Sequence, residues 1–344
     1  MKKFWNIFFI LVLAFPLFVS AAPVELIGAG ATFPFPFYSK MFDAYHKEFG
    51  TKINYQGIGS GGGIRQLQEK TIDFGGTDAY LEDNELKTSD GNEIIHIPMC
   101  LGAVAVTYRL PGDPNLKFDG ETVALIFLGE ITKWNDSRIK KLNPGVDLPN
   151  KNIIVVHRSD GSGTTFIFSD YLSKVSLKWK EKVGTGKSLK WPVGLGAKGN
   201  SGVAGIVQQT PYSIGYVELI YAENNNMPLA EIKNKSGNFI KPTIKSVSVS
   251  ADIELPEDSR VSLTDTDAEF GYPLSSFTWI IVYKEQNYSN RNKEKVKELV
   301  TLLRWMISEG QQYAEPLKYS PLSEEAFKIA ENIINSITYD GKQI

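Results

Sequence analysis

Apolar, strand-like runs in this chain repeatedly end in loops built of glycine, serine and threonine. Residues 24–27 lead into Gly28-Ala-Gly-Ala-Thr-Phe33, and residues 53–55 into Gly57-Ile-Gly-Ser-Gly-Gly62. Residues 153–156 lead into Arg158-Ser-Asp-Gly-Ser-Gly-Thr-Thr165, and residues 72–74 into Gly75-Gly-Thr-Asp78. Helical spacing follows three of these loops. Phe37, Met41, Tyr45 and Phe49 recur every four residues, Ile64 and Leu67 follow the second loop, and residues 164–172 follow the third. Strands that alternate with helices call for an α/β architecture with sheets covered on both faces. Further on, residues 94–108 suit two strands or one bent strand, and 214–217 and 277–283 read as strands. Residues 123–128, 139–142, 293–308 and 323–337 read as helices, and the polar stretch 224–270 interrupts the pattern.

The N-terminus is of another kind. Lys2 and Lys3 precede an apolar run from Phe4 to Val19, broken only by Asn6 and Pro16, and Ser20 and Ala21 follow. A basic start, an apolar stretch and small residues describe a secretory signal peptide over residues 1–21. A cut after Ala21 is expected, because a cut after Ala22 would leave Pro23 first. The run is too short and too interrupted for a membrane span of about 20 residues. No cysteine follows the cut, so no lipid anchor is expected.

A chain of 344 residues suggests about two domains. Its formal net charge of −2, more acidic once Lys2 and Lys3 are removed, excludes a general nucleic-acid binder. One cysteine cannot make an internal disulfide, and three histidines leave little for a zinc site. No metal and no cofactor are expected. Cys100 lies in an apolar run and reads as a buried, inert thiol.

Helix N-termini carry unpaired N–H groups and partial positive charge. Glycine lets backbone approach a ligand, and hydroxyls add donors, so such loops suit a tetrahedral oxyanion. Each loop alone also fits plain helix capping by Ser60, Ser162 or Thr164. Gly57, Gly59 and Gly62 match G-x-G-x-x-G, but the acidic residue a dinucleotide site wants does not close a second strand. Gly184-Thr-Gly-Lys-Ser188 lacks the upstream glycine of a phosphate loop, since position 181 is Glu181. Arg158 favours the anion reading, because a guanidinium holds two oxygens at once and Asp160 can orient it. Asp78 could be an exposed turn residue, but facing an anion it makes sense if the ligand carries a proton. HPO4²⁻ and H2PO4⁻ carry one and sulfate does not, and sites built around a ligand hydroxyl reject analogues lacking it by roughly 10⁴–10⁵.

Taken in order, these loops resemble the periplasmic phosphate-binding proteins of Pst-type high-affinity phosphate ABC transporters. The likeness includes Gly28-Ala-Gly-Ala-Thr-Phe-Pro34, Asn54-Tyr-Gln-Gly-Ile-Gly-Ser60, Asp73-Phe-Gly-Gly-Thr-Asp-Ala79 and Arg158-Ser-Asp-Gly-Ser-Gly-Thr164. It continues through Leu142-Asn-Pro-Gly145, Val183-Gly-Thr-Gly186, Lys190-Trp-Pro-Val-Gly194, Lys198-Gly-Asn-Ser-Gly202 and Ile214-Gly-Tyr-Val-Glu218. It is weakest over 225–270.

The resemblance implies a periplasmic-binding-protein type II fold, with two α/β lobes joined by two hinge strands around a central cleft. Lobe I would be 22–104 plus 275–344, with lobe II, 105–274, inserted. Thr32 and Phe33 would give backbone donors, with the Thr32 hydroxyl assisting. Ser60 would donate, Asp78 would accept the ligand proton, and Arg158 would pair with oxygens, oriented by Asp160. Ser162, Gly163 and Thr164 would complete the cradle. Gly61 stands where the family often has a second serine, and Thr77-Asp78 replaces a frequent Ser-Asp. The resemblance further implies a non-enzymatic periplasmic monomer that delivers inorganic phosphate to the membrane permease of an ABC importer. Two other readings compete. One is a carrier of a different tetrahedral oxyanion. The other is a secreted phosphate-ester hydrolase, disfavoured because Ser162 and Thr164 lack a G-x-S-x-G elbow and His157 should face away from Arg158.

Overall fold

The computed structural model describes residues 24–87 and 91–344. The signal peptide read over residues 1–21, with its cut after Ala21, lies outside the described residues. The chain opens with β1 (Glu25–Gly30), α1 (Phe35–Phe49), β2 (Lys52–Gly57), α2 (Ser60–Gln68), β3 (Phe74–Thr77) and α3 (Asp83–Leu86). The long β4 (Ile94–Tyr108) leads to β5 (Lys117–Phe118), α4 (Gly120–Phe127), α5 (Ser137–Leu142), β6 (Ile154–Arg158), α6 (Gly163–Val175) and α7 (Leu177–Lys182). Then come β7 (Leu195–Ala197), α8 (Gly199–Gln209), β8 (Ser213–Glu218) and α9 (Leu219–Asn224). β9 (Glu231–Lys233), β10 (Phe239–Ile240) and α10 (Ile244–Val249) precede β11 (Ser275–Tyr283), α11 (Lys293–Ile307) and α12 (Glu324–Asn335).

The main sheet runs β2-β1-β3-β11-β4-β8-β6-β7. β4 resolves as one continuous strand of 15 residues. Its first part pairs antiparallel with β11 through Ala103, and its last part with β8 from Val104 on. β4 therefore belongs to both halves of the sheet, and β4 and β11 are buried along nearly their whole length. β1, β2 and β3 are parallel on one side, and β6, β7 and β8 on the other. The polar stretch 224–270 supplies β9 and β10, which join β5 in a three-stranded sheet.

Two strands run further than the glycine-as-breaker rule predicts. Gly28 and Gly30 lie inside β1, and Gly75-Gly-Thr77 forms most of β3 instead of a loop. Packing explains the second case. A Cβ on Gly76 would sit 2.1 Å from the Tyr55 hydroxyl, so only glycine lets that strand lie where it does.

Local rules account for the helices. α1 buries Phe37, Tyr38, Met41, Phe42 and Tyr45 and stops at Gly50, whose φ is 79°. α6 starts at Ser162, whose hydroxyl accepts from the Thr165 N–H at 3.0 Å. α11 buries Val296, Leu299, Val300 and Leu303 along one face. Cys100 is buried within the main core, and burial pushes its thiol pKa up. Among the described residues no helix is long and apolar enough to cross a membrane.

Candidate functional site

The carboxyl ends of parallel strands in open α/β sheets are where ligands collect. Here β1 delivers Thr32 and Phe33, β2 delivers Ser60, and β3 delivers Asp78. From the other side, β6 delivers Arg158 and the turn into α6, and β7 delivers the start of α8. Ser60, Asp78, Arg158, Ser162 and Thr164 are all buried.

The two sides meet at Ser60. Its hydroxyl lies 3.4 Å from Asp78 Oδ2 and accepts the Gly163 N–H at 3.1 Å. Close by, the Gly61 N–H donates to the Gly161 carbonyl at 2.9 Å. Two glycines permit this approach. Gly59 has φ +89°, and a Cβ there would stand 2.5 Å from Asp160 Oδ2. A Cβ on Gly163 would stand 2.5 Å from Asp78 Oδ2 and 2.6 Å from the Ser60 hydroxyl.

Asp78 follows β3, and Thr278 of β11 donates to its Oδ1 at 2.9 Å. The pairing of β11 with β4 shifts register between Thr278 and Trp279, the kind of irregularity that re-aims a side chain. Burial pushes the Asp78 carboxyl up to about 7, against the lowering effects of the Thr278 bond, the Arg158 charge and the Ser60 hydroxyl. This carboxyl is poised to hold or release a proton near neutrality.

Arg158 makes a two-pronged pair with Asp160, Nε to Oδ1 at 2.7 Å and a terminal nitrogen to Oδ2 at 2.5 Å. Its other terminal nitrogen reaches the Thr164 hydroxyl at 3.3 Å. Burial alone would raise the Asp160 carboxyl. The Arg158 bonds and charge, with the Gly199 N–H at 3.1 Å, outweigh it and hold the group below its usual range. His157 points away from Arg158's partners. Its ring stacks on Trp191 at 4.6 Å, and its Nδ1 pairs with the Arg158 carbonyl.

The capping reading of Ser162 holds, since its hydroxyl caps α6. Gly163 and Thr164 lie at this junction as well, Thr32 is tied to Thr164 through Asn200, and Phe33 follows Thr32. Sequence reasoning missed a second rank of side chains. Tyr221 donates to the Thr32 carbonyl at 2.6 Å, and Tyr319 to the Phe33 carbonyl at 2.6 Å. Tyr216 receives the Arg158 N–H at 3.2 Å and pairs with the Thr165 hydroxyl at 2.7 Å. Asn200 touches both Thr32 and Thr164. A signal existed. Lys198-Gly-Asn-Ser-Gly202 is a further glycine-rich turn from strand to helix, and Tyr216 lies in Ile214-Gly-Tyr-Val-Glu218.

A separate surface cavity of about 520 Å³ is lined by His96, Arg260 and Lys284 among others. Its cations are already paired, Arg260 with Asp83 and Asp258 and Lys284 with Glu93. The convergent donors lie at the Asp78–Arg158 junction instead.

A family model described as the PBP superfamily domain matches residues 19–309. The phosphate-binding protein PstS of Pasteurella multocida is 42% identical over 325 residues, covering 93% of this chain and 92% of that protein. PstS of Methanocaldococcus jannaschii is 40% identical over 331 residues, covering 90% and 85%. Among solved structures, a high affinity periplasmic phosphate-binding protein bound with phosphate superposes with TM-score 0.71 at 19% identity, covering 90% of this chain and 93% of that one. At that identity the likeness speaks for the fold alone.

Proposed function

The chain belongs to the PBP superfamily, among the phosphate-binding proteins named PstS, and on that footing we propose that its Asp78–Arg158 junction is a clamp for one inorganic phosphate, delivered to the permease of an ABC importer. The fold is the type II form of that superfamily. We place lobe I at 22–104 plus 275–344 and lobe II at 105–274, with β4 and β11 as the hinge strands.

The observation that carries the reading is a pairing of opposites. A buried carboxyl held at about 7 stands on one side, and a buried guanidinium fixed by its own carboxylate stands on the other. Phosphate loses its second proton in the same pH range as this carboxyl, so one proton sits between Asp78 and the ligand. Arg158, the Ser60, Thr32, Ser162 and Thr164 hydroxyls, and the backbone N–H groups of Thr32, Phe33 and Gly163 take the remaining oxygens. Because the ligand's partners come from both lobes, binding favours the closed form.

We read the protein as a non-enzymatic, monomeric periplasmic carrier. The Ser162 hydroxyl accepts the α6 cap bond, and the His157 ring is stacked on Trp191 with its Nδ1 on the Arg158 carbonyl, so the two do not form a nucleophile–base pair. Calorimetric titration of the purified chain tests the assignment. One phosphate per chain is expected, with sulfate far weaker. Sulfate binding within tenfold of phosphate would overturn it.

A further inference from the structure

Asn200 is wholly buried near the start of α8, and its amide can be oriented without ambiguity. The Glu218 backbone N–H stands 3.0 Å from its Oδ1, and a backbone N–H can only donate. The amide nitrogen therefore faces the other way, 3.0 Å from the Thr32 hydroxyl and 3.1 Å from the Thr164 hydroxyl. Each hydroxyl receives a second donor. The Asn200 backbone N–H reaches Thr32 Oγ1 at 3.3 Å, and Arg158 reaches Thr164 Oγ1 at 3.3 Å.

A hydroxyl has two acceptor lone pairs and one proton. At Thr32 and at Thr164 both lone pairs are filled, so the proton is all that either can offer. We propose that Asn200 is a positioning residue that fixes the polarity of these two hydroxyls, making them obligate donors to the ligand, and that it ties the two lobes together through them. Asp78 then serves as the acceptor while the two threonines are locked as donors. A ligand with one proton and several bare oxygens is held in a single orientation, proton toward Asp78 and bare oxygens toward Thr32 and Thr164.

This inference rests on the phosphate reading, and the test keeps the two apart. Inorganic phosphate is titrated into the wild-type chain, Asn200→Ala, Thr164→Val, and the double variant, with thermal melts of each. Asn200→Ala is expected to weaken binding by about tenfold or more, as for a lost bond to a charged partner. Because part of the Asn200 effect runs through the Thr164 hydroxyl, the double variant should lose clearly less than the product of the two single losses. Losses that simply multiply would overturn the proposal, since a merely structural role gives that result. Asn200→Asp keeps the size of the side chain and an oxygen for the Glu218 N–H, but accepts from both threonines and turns their lone pairs toward the ligand. A loss of about a hundredfold or more is expected there, and wild-type affinity in Asn200→Asp would overturn the proposal even if Asn200→Ala failed to fold. A wild-type chain that binds no phosphate would instead overturn the function assigned to the site.

Discussion

Asp78 and Asp160 approach the same junction from opposite sides, and their surroundings drive them apart. Asp160 faces Arg158 squarely, accepts the Gly199 N–H, and is held ionised below its usual range. Asp78 is almost fully enclosed, receives bonds from the neutral hydroxyls of Thr278 and Ser60, and is pushed up to about 7. Two identical side chains thus do different work. Asp160 orients a cation, and Asp78 sits where it can hold a proton. On the function proposed above, the Arg158 side would supply attraction for any oxyanion, and the Asp78 side would decide which oxyanion is accepted.

Removing the cation should have the largest effect. Arg158→Met leaves Asp160 partly buried without its partner and takes the only full positive charge from the cluster of predicted ligand residues. Phosphate affinity measured by calorimetry should fall about 10³-fold, with sulfate falling in parallel. A loss confined to phosphate would break the division of labour. Asp78→Asn should act on selectivity. The amide can still accept the phosphate proton, and it can now donate to sulfate. The phosphate-to-sulfate ratio should drop about a hundredfold, while phosphate affinity itself changes by less than about tenfold. An unchanged ratio would remove the role given to Asp78. Asp160→Asn loosens Arg158 without removing it, so about a tenfold loss for both anions is expected at constant ratio.

How much of this was legible beforehand follows from how local each feature is. Thr32, Ser60, Arg158 and Asp160 stand in short strand–loop–helix motifs, where neighbours in sequence are neighbours in space. Length and apolarity allowed residues 94–108 to be two strands or one bent strand, and they form the single strand β4. The boundary of β3 was misread because two glycines normally end a strand, whereas here Gly76 admits the Tyr55 side chain and Gly75 the Ile281 side chain. Thr278 and Asn200 were not legible as partners. Thr278 reaches Asp78 across 200 positions, and Asn200 reaches Thr32 across 168. Such contacts are set by strand order, which no local pattern encodes. Glu218 shows the same limit. It ends a motif quoted for its resemblance, yet its wholly buried carboxyl, raised well above its usual value by burial and bonded to Tyr319, could be seen only in the fold.

The smallest expected effect concerns the ligand-free protein, and it sharpens the contrast between the two aspartates. A carboxyl whose folded value is raised binds its proton more tightly in the native state than in the unfolded one. Its contribution to stability is fully present below the unfolded value near 4 and is lost as pH rises through about 7. Asp160 runs the other way. Its value is lowered, so its contribution is present above the unfolded value and is lost as pH falls through the folded one. Between pH 5 and pH 8 Asp160 is therefore silent and Asp78 is not. Without ligand, the wild-type melting temperature should decline over that window by a few degrees more than that of Asp78→Asn, which has no proton to lose. Asp160→Asn should leave the slope over the same window as it is in the wild type. Parallel curves for wild type and Asp78→Asn would mean that Asp78 is ionised throughout, and the selectivity of the site would then have to come from geometry at the threonines and not from a shared proton.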